Sequence, residues 1–444
     1  MADAFFLPLV AISLLVFIRL VPSVLFGLVS FILKRRYLKK PSIRSVKKNG
    51  PFKNKTEKDI YDAVIVGGGP AGGCFAYYAA KANLNVVILE RAQFPRDKYC
   101  GNAICVPAIR ILRDMDILKD FEANNEVYFS DSGGFISPSG QGYLGKSVLE
   151  VGEPLAGAIK RINLDNRIVK KAVEIGAHLE ELLEVQEATF SPENKCWTVT
   201  SADGRKFMGR TLICADGSPS KLARNLGYVT EPPKGISTRA YIEGDTHNAL
   251  MDGLVVYPPF SLPGYCAVFK HPNNELNFCY YLIPCGKEDQ LGDVTEKDLP
   301  LLHKFALNED PFIHRLIGDK AKIEPMRVAP LRVGLQGVKQ SYDDHLLIIG
   351  DAAGFVDPLT GEGIHNAMMS GRDGAYTLID MHREGDFSAA SAKQYEDRWM
   401  NSFGYDFEMS KAASTLIWKF PIVLDACAEE MQVRSLCYST SKDS

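Results

Sequence analysis

The sequence predicts an α/β protein: a Rossmann-like nucleotide-binding domain interleaved with an antiparallel β-sheet domain, together with an N-terminal membrane helix and C-terminal helices. Two glycine-rich segments predict the first domain, at residues 66–72 and, some 280 residues later, at residues 350–354. Each follows a short apolar run typical of a buried parallel strand. Short β-type runs separated by turns fill residues 121–155 and 235–324 and predict the second domain. Distant parts of the chain must therefore close one nucleotide cleft.

The first glycine-rich segment has the features of a nucleotide-binding turn. Residues 61–66 predict the strand before it, and residues 71–81 predict the helix after it. Gly67 permits the tight turn, Gly69 allows a pyrophosphate to approach the backbone, and Gly72 allows the helix to pack closely on the strand. The helix N-terminus presents N–H groups and a partial positive charge to phosphates. The expected cofactor-binding residues are Gly67, Gly69, Pro70, Ala71 and Gly72.

A second apolar run, residues 85–89, ends in Glu90 and Arg91. A carboxylate about 20 residues beyond the glycines binds a ribose hydroxyl in dinucleotide-binding folds. We therefore expect Glu90 and Arg91 to contact the cofactor. The alternative is an ordinary strand, turn and helix with incidental glycines. Because strand, spacing, helix and acid all agree, the sequence predicts that an adenine dinucleotide binds here.

The second glycine-rich segment favours FAD over NAD. Residues 346–349 predict a buried strand that ends at Gly350 and Asp351, and this aspartate is expected at the ribitol or pyrophosphate side of the flavin. The loop of residues 357–363 then leads into a helix through residues 366–378. Backbone N–H groups at its start would stabilise an anionic reduced flavin. The expected cofactor-binding residues here are Gly350, Asp351, Gly361, Gly363 and Ile364.

The chain resembles the geranylgeranyl reductase family of FAD-dependent oxidoreductases, within the wider fold group of p-hydroxybenzoate hydroxylase. The match runs from about residue 59 to 407. Residues 94–101, of sequence FPRDKYCG, resemble the family's FPRxKxCG segment. Ala267 departs from the family, which often has tryptophan at that position. The other matching segments are residues 67–72, 161–165, 215–218, 350–372, 395–399 and 403–404.

The resemblance implies further site residues. Cys100 would lie where the substrate channel meets the flavin, and both Cys100 and Gly101 are expected to contact the cofactor, although a segment of this kind is also compatible with a structural turn. Arg161 is expected to bind the cofactor, the alternative being a surface charge on a helix of residues 164–177. Asp216 and Gly217 follow the predicted strand 211–214. They are expected to close against the ribityl or pyrophosphate region, or else to form a simple turn.

Two further residues near the predicted flavin face are candidates for acid–base chemistry. Glu362 and His365 lie beside the glycines of residues 361–363. Together with Cys100 they are the candidate catalytic residues. Carboxyl and imidazole groups are common general acids and bases in enzymes.

The resemblance implies a reductase that saturates isolated double bonds of a prenyl or other isoprenoid lipid. Reduced FAD would deliver a hydride to one alkene carbon, and a protein acid or water would protonate the other. NADPH or another reductant, such as an electron-donor protein, would bind transiently, because no second GxGxxG segment is present. The aromatic residues of the β-rich part suit a hydrocarbon substrate or form the sheet's own core. An FAD-dependent lipid monooxygenase or epoxidase, and a non-catalytic flavoprotein subunit, remain alternatives.

The N-terminal segment predicts attachment to a membrane. Residues 4–33 are apolar apart from Arg19. As a helix they would be about 45 Å long, enough to span a hydrocarbon core of about 30 Å with tilt, or to bend at Pro22 and lie partly re-entrant. Residues 34–56 carry ten Lys or Arg and no acid. They predict a stop-transfer segment that contacts anionic lipid, or a solvated linker. The catalytic body is expected on the cytoplasmic side, at the endoplasmic reticulum or an organelle's outer membrane in a eukaryotic cell.

Composition is that of a globular enzyme, with 46% hydrophobic and 24% charged residues and a net charge of −3. No nucleic-acid partner is expected. The ten cysteines form no CxxC pair and no metal-ligand spacing with histidine, so reduced cysteines and no metal site are expected. The predicted organisation is a membrane anchor (1–33), a basic linker (34–58), an FAD-binding domain (59–120, 156–230 and 326–385), a substrate domain (121–155 and 231–325) and a C-terminal helical region (386–444).

Overall fold

The computed structural model describes residues 60–146, 154, 156–243, 252–283, 296–318 and 320–429. The predicted membrane anchor and basic linker lie outside these residues. Among the helices in the described part of the chain, none is both long and apolar enough to cross a membrane.

Strands and helices are numbered here in chain order within the described residues. The strands are β1 (Ile60–Val66), β2 (Val86–Leu89), β3 (Ala103–Cys105), β4 (Val127–Ser130), β5 (Ser132–Ile136), β6 (Gly142–Lys146), β7 (Ala156–Ile159), β8 (His178–Glu180), β9 (Val185–Ser191), β10 (Cys196–Ser201), β11 (Lys206–Cys214), β12 (Gly235–Glu243), β13 (Gly253–Val256), β14 (Gly264–His271), β15 (Glu275–Leu282), β16 (Lys322–Ile323), β17 (Arg327–Leu331), β18 (Tyr342–Asp343) and β19 (Leu346–Ile348). The α-helices are α1 (Pro70–Lys81), α2 (Val106–Asp114), α3 (Leu118–Ala123), α4 (Arg161–Ile175), α5 (Lys221–Asn225), α6 (Leu299–Glu309), α7 (Pro311–Ile317), α8 (Ile364–Glu384), α9 (Ala389–Ala392), α10 (Gln394–Trp399) and α11 (Tyr405–Lys419).

The first sheet carries the two glycine-rich segments. Its central strands run in the order β18-β19-β11-β1-β2-β8, and all but β18 are parallel, while β9 and β10 extend it as an antiparallel pair beside β11. In register, Val66 lies opposite Leu89 on one side and Cys214 on the other. The carboxyl ends of these parallel strands therefore meet at one edge, where α/β proteins bind nucleotides.

Within the described residues, helices α1, α4 and α8 pack together on this sheet, and small residues let them approach one another. A Cβ on Gly73 of α1 would lie 2.6 Å from Ile168 of α4, and a Cβ on Gly371 of α8 would lie 2.2 Å from the backbone oxygen of Ala71. Contacts this short require glycine. Helix α1 is therefore packed closely between α4 and α8, and its backbone almost touches that of α8, which fixes its N-terminus at the glycine turn.

We expect Gly371→Ala to lower the free energy of unfolding by about 1–3 kcal/mol, because the new methyl group meets backbone and must push α8 away from α1. Gly374→Ala, one turn further along α8, is the matched control. Its Cβ would lie 3.3 Å from the Phe75 side chain, which can adjust. Urea denaturation of both variants tests this, and an equal or larger loss for Gly374→Ala would contradict the packing described here.

The second sheet forms most of the β-rich part of the chain. Its order is β16-β12-β15-β14-β13-β5-β6, with β17 also paired to β12, and all its pairs are antiparallel except β5 with β13. Alternate side chains of β14 and β15 point to opposite faces. One face packs on α6 and α7 through residues such as Cys266 and Phe278. The other presents Tyr265, Ala267 and Cys279 toward the loops of the nucleotide-binding domain.

The chain passes repeatedly between these sheets. A small third sheet, β3-β7-β4, lies at the passages from β2 to β5 and from β6 to β8, and strand β3 contacts α8. The chain then returns to the second sheet at β12 and to the first at β18. This interleaving places the loop before β3, the start of α8 and the inner face of β14 and β15 close together.

Candidate functional site

The glycine turn forms an open cradle at the N-terminus of α1. Gly67 has φ +109°, and a Cβ there would lie 2.3 Å from the backbone oxygen of Ala215. A Cβ on Gly72 would lie 2.0 Å from the Gly67 oxygen. By contrast, a Cβ on Gly69 would have no atom within 4 Å, and no side chain caps the N-terminus of α1. Space and unpaired helix N–H groups therefore coincide where a pyrophosphate would bind, which fits FAD.

Glu90 lies beside this cradle at the end of β2. Its carboxylate accepts hydrogen bonds from the backbone N–H of Gly68 at 2.9 Å and of Ala92 at 3.1 Å. Arg96 donates to the same carboxylate at 3.3 Å. A buried acid in this position fits the ribose of the cofactor. Arg91 is exposed at the rim, next to Glu90.

Asp351 brings the second glycine-rich segment to the same site. Its Oδ2 accepts hydrogen bonds from the Ser218 hydroxyl at 3.1 Å and from the Lys98 ammonium at 3.4 Å. A Cβ on Gly363 would lie 3.2 Å from its Oδ1. Gly350 has φ +63°, and its N–H donates to Ser370 Oγ at 2.9 Å. Three other segments of the chain thus converge on the Asp351 carboxylate.

Arg161 lies in a buried ion cluster, so the alternative of a surface charge is wrong. Its guanidinium donates to Asp165 twice, from Nε to Oδ1 and from Nη2 to Oδ2, each at 2.7 Å. Arg96 donates to Asp165 Oδ2 at 2.6 Å and also contacts Glu90. Burial alone would raise the pKa of Asp165, but the Arg161 and Arg96 guanidinium groups lower it below its usual value. This cluster ties the FPRDKYCG segment to α4 and to the ribose end of the site.

Sequence reasoning missed Arg96 and Asp165 as members of this cluster. The signals were present, because Arg161 and Asp165 have the i,i+4 spacing of a helical ion pair and Arg96 belongs to a segment already singled out. The contact between Arg96 and Asp165 of α4 forms only in the tertiary structure, and the spacing along the chain does not predict it.

Cys100 and Gly101 lie between the cofactor loops and the inner face of the second sheet. A Cβ on Gly101 would lie 2.3 Å from Tyr281 Oη and 3.5 Å from Cys279 Sγ. Asn277 donates to the Cys100 backbone oxygen at 3.1 Å. Burial raises the pKa of the Tyr281 hydroxyl well above its usual value, so it stays neutral. The loop therefore packs directly on an uncharged part of the sheet.

Asp216 has a structural partner of its own. Its Oδ2 accepts a hydrogen bond from the backbone N–H of Leu222 at 2.8 Å, at the start of α5. Burial raises its pKa to about 6, although the backbone hydrogen bonds oppose the shift. Gly217 follows with φ +74°. Both residues adjoin the glycine turn, since Ala215 contacts Gly67.

The raised pKa of Asp216 predicts a stability change with pH. Between the unfolded value of about 4 and the folded value of about 6 the folded state binds more protons. The free energy of unfolding should therefore fall as pH rises through this window. Asp216→Asn keeps the acceptor for Leu222 and should flatten the dependence, leaving the variant about 1–2 kcal/mol more stable above the window. Urea denaturation of flavin-free protein at several pH values measures this, and parallel profiles for both proteins would contradict it.

Glu362, His365 and the neighbouring Gly361 and Gly363 form a second loop that packs on the same sheet face as Gly101. Gly361 has φ +65°, and a Cβ there would lie 3.1 Å from Ile283 and 3.2 Å from Tyr265 Oη. Helix α8 begins at Ile364, one residue after Gly363. His365 Nδ1 lies 3.7 Å from Glu362 Oε2. The imidazole is buried and the carboxylate is partly exposed, so this pair links the interior to solvent.

Comparison with known proteins shows which family the chain belongs to. A model of the family described as "FAD binding domain" matches residues 60–398. The chain is 44% identical over 390 residues to Conditioned medium factor receptor 1 of Dictyostelium discoideum, covering 85% of this chain and 75% of the relative. It is 30% identical over 372 residues to Digeranylgeranylglycerophospholipid reductase 1 of Methanopyrus kandleri, covering 80% and 90%.

A solved structure shares the fold. The geranylgeranyl bacteriochlorophyll reductase-like protein of Thermoplasma acidophilum superposes with a TM-score of 0.64 at 18% identity, covering 84% of this chain and 96% of that protein. The glycine cradle, the acid at the end of β2 and Asp351 are the parts of this fold that fit FAD. The chain therefore belongs to the geranylgeranyl reductase-like group of FAD-dependent oxidoreductases.

Proposed function

We propose that this protein reduces isolated carbon–carbon double bonds of a prenyl or other isoprenoid lipid. One observation carries the proposal: the apolar inner face of β14 and β15 packs directly on Gly101 and Gly361, in the two loops expected to flank the flavin ring. A hydrocarbon chain suits such a wall and a charged substrate does not. The name of the Methanopyrus kandleri relative, a reductase of a digeranylgeranyl lipid, supports the same class of substrate.

The part of this wall nearest the two glycine loops is buried and built from uncharged side chains. Ala267 and Cys279 lie opposite each other in register and are fully buried, with Tyr265 and Tyr281 stacked beside them at a centroid distance of 4.8 Å. Exclusion of water strengthens the electrostatic interactions inside such a site. Reduced FAD, when bound, supplies the hydride for a reduction of this kind, with NADPH or another reductant as the proposed source of its electrons.

The second hydrogen requires a proton, and Glu362 with His365 is the proposed source. His365 Nδ1 and Glu362 Oε2 are 3.7 Å apart, and a small rotation brings them into hydrogen-bond contact. Glu362 can take a proton from solvent, because its side chain is 40% exposed, and pass it to the buried imidazole. Cys100 is proposed to shape the substrate end of the same space.

We propose that the protein works at a membrane, anchored through residues 4–33 and with its catalytic body on the cytoplasmic side. Exposed apolar side chains on the described body support a lipid-facing surface. Leu301 of α6 is 69% exposed and Ile422, after α11, is 64% exposed. A substrate dissolved in the bilayer would then reach the protein without crossing water.

An anaerobic single turnover tests the function. The flavin of the purified protein is reduced with dithionite, polyprenyl lipid is added, and flavin reoxidation is followed together with mass spectrometry of the lipid. Reoxidation with a gain of two hydrogens per turnover is the expected result. Reoxidation only after O2 is admitted, with a gain of one oxygen atom, would establish a lipid monooxygenase or epoxidase instead.

A second candidate function is that of a flavoprotein sensor or receptor subunit. It is favoured by the 44% identity to a protein named Conditioned medium factor receptor 1. A sensor would require flavin binding without turnover of lipid. Bound flavin that no lipid reoxidises in the absence of O2, with no oxygen atom transferred to the lipid when O2 is admitted, would favour this candidate over the reductase.

A further inference from the structure

Three side chains with metal-binding atoms meet at the start of α8. Cys105 ends β3, Glu362 lies in the loop before α8, and His365 lies in the helix's first turn. One ligand atom from each lies within 4.8 Å of both others. More than 250 residues separate Cys105 from Glu362 along the chain. The absence of a Cys–His spacing in the sequence therefore has no bearing on this cluster, which only the tertiary fold assembles.

We propose that Cys105, Glu362 and His365 bind a zinc ion. A thiolate, an imidazole and a carboxylate together form a donor set that Zn²⁺ accepts, whereas Mg²⁺ and Ca²⁺ require mostly oxygen ligands. With metal–ligand bonds of about 2.0–2.2 Å, two nitrogen or oxygen ligands of a tetrahedral ion are about 3.4 Å apart. The observed separation between His365 Nδ1 and Glu362 Oε2 is 3.7 Å. For this pair only a small side-chain adjustment is therefore needed, and the thiol of Cys105 lies within 4.8 Å of both ligand atoms.

The protein holds two of the ligands rigidly and leaves the third accessible. Cys105 is 7% exposed and His365 is 2% exposed. Cys105 is paired with Ala156 in the third sheet, and β3 contacts α8, so the distance between these two ligands is set by packed elements. Glu362 is partly exposed and offers a route for the ion from solvent. Three protein ligands leave one tetrahedral position open, as in zinc sites that bind an exchangeable ligand.

The cluster lies close to the residues expected to bind the flavin, so a bound ion would affect the reaction. Glu362 and His365 flank Gly363, whose Cβ would lie 3.2 Å from Asp351 Oδ1, so the ion would lie beside the predicted flavin end of the site. A bound ion occupies the lone pairs through which Glu362 and His365 would exchange protons. Zinc is thus expected to slow lipid reduction, a consequence that rests on the proposed function, while binding itself does not.

Cobalt binding tests the site directly. Full-length, flavin-loaded protein in detergent is treated with a chelator and titrated with Co²⁺, with Zn²⁺ as the competitor. We expect intense ligand-field bands, typical of tetrahedral cobalt, at wavelengths longer than the flavin absorption, saturating at one ion per chain and bleached by Zn²⁺. Cys105→Ser should remove the thiolate-to-cobalt band and weaken binding by about 100-fold or more.

Two further variants make the assignment specific. Glu362→Gln alters the most exposed ligand, so it should fold normally and still weaken cobalt binding by about 10- to 100-fold. Cys100→Ser, in the same loop region but outside the cluster, should bind cobalt as the wild type does. Weak bands of octahedral cobalt, or binding that is unchanged in Cys105→Ser and Glu362→Gln, would overturn the proposal. None of these readouts depends on lipid turnover, so failure of the proposed function would leave the result standing.

Discussion

Gly69→Ala is expected to weaken FAD binding severely while the flavin-free protein remains folded. Gly69 has φ −77°, which alanine adopts freely, and the new methyl group would meet no protein atom within 4 Å. That space is where the pyrophosphate of the cofactor is expected. A methyl group there costs about 1–3 kcal/mol of binding free energy, which corresponds to about 5- to 150-fold in affinity. Fluorescence titration of apoprotein with FAD measures the loss.

Gly72→Ala provides the contrast, because its Cβ would lie 2.0 Å from the Gly67 backbone oxygen. That variant must distort the turn itself, so both the melting temperature of the apoprotein and its affinity for FAD should fall. A wild-type affinity for FAD in Gly69→Ala would mean that the pyrophosphate lies elsewhere. If the Gly69→Ala apoprotein melted at a temperature as low as that of Gly72→Ala, the space beside Gly69 would not be open as described.

Asp165→Ala is expected to lower the free energy of unfolding by about 3–5 kcal/mol, the usual loss when one member of a buried ion cluster is removed. The substitution would leave Arg161 without its two charge-assisted hydrogen bonds and Arg96 without its shortest one. Both guanidinium groups are held near the protein interior by the elements around them. Equilibrium denaturation in urea, with flavin-free protein, is the direct measurement.

Glu174→Ala is the matched control on the same helix, α4. Glu174 is 65% exposed and pairs with Lys171 at 3.5 Å, and loss of such a surface pair changes stability by less than about 0.5 kcal/mol. The pH dependence adds a second check. Because the folded pKa of Asp165 is lowered, its contribution is present above the unfolded pKa of about 3.9 and is lost as pH falls through the folded pKa. In Asp165→Ala the free energy of unfolding should therefore fall less steeply than in the wild type as the pH is lowered. An equally steep fall in both proteins would contradict the assignment.

Local sequence patterns predicted the nucleotide-binding elements closely. Residues 61–66 and 71–81 were expected as strand and helix, and the structure has β1 at Ile60–Val66 and α1 at Pro70–Lys81. These predictions succeed because apolar runs, glycines and the helix start act over a few residues. Helix α8 extends to Glu384, beyond the predicted residues 366–378. Its glycines weaken intrinsic helix propensity, but they permit the close contact with α1 that stabilises the helix.

Side-chain partnerships across the fold were less predictable. The pairing of Arg96 with Asp165 and the meeting of Cys105 with His365 depend on how β3, α4 and α8 are placed, and no spacing along the chain encodes that placement. The parallel pairing of β5 with β13 inside an otherwise antiparallel sheet is a similar case. Such contacts join residues far apart in sequence, where periodicity and turn signals carry no information.

The interleaving of the sheets has a consequence for how the protein is made. Strand β1 pairs with β11, almost 150 residues later, and β19 completes the sheet after a further 130 residues. Contacts of such long sequence separation form slowly and late. During synthesis the glycine turn emerges long before Asp351, which is needed on the other side of the cleft. We therefore expect FAD to bind late in biogenesis, only after strand β19 has been synthesised and has joined the first sheet.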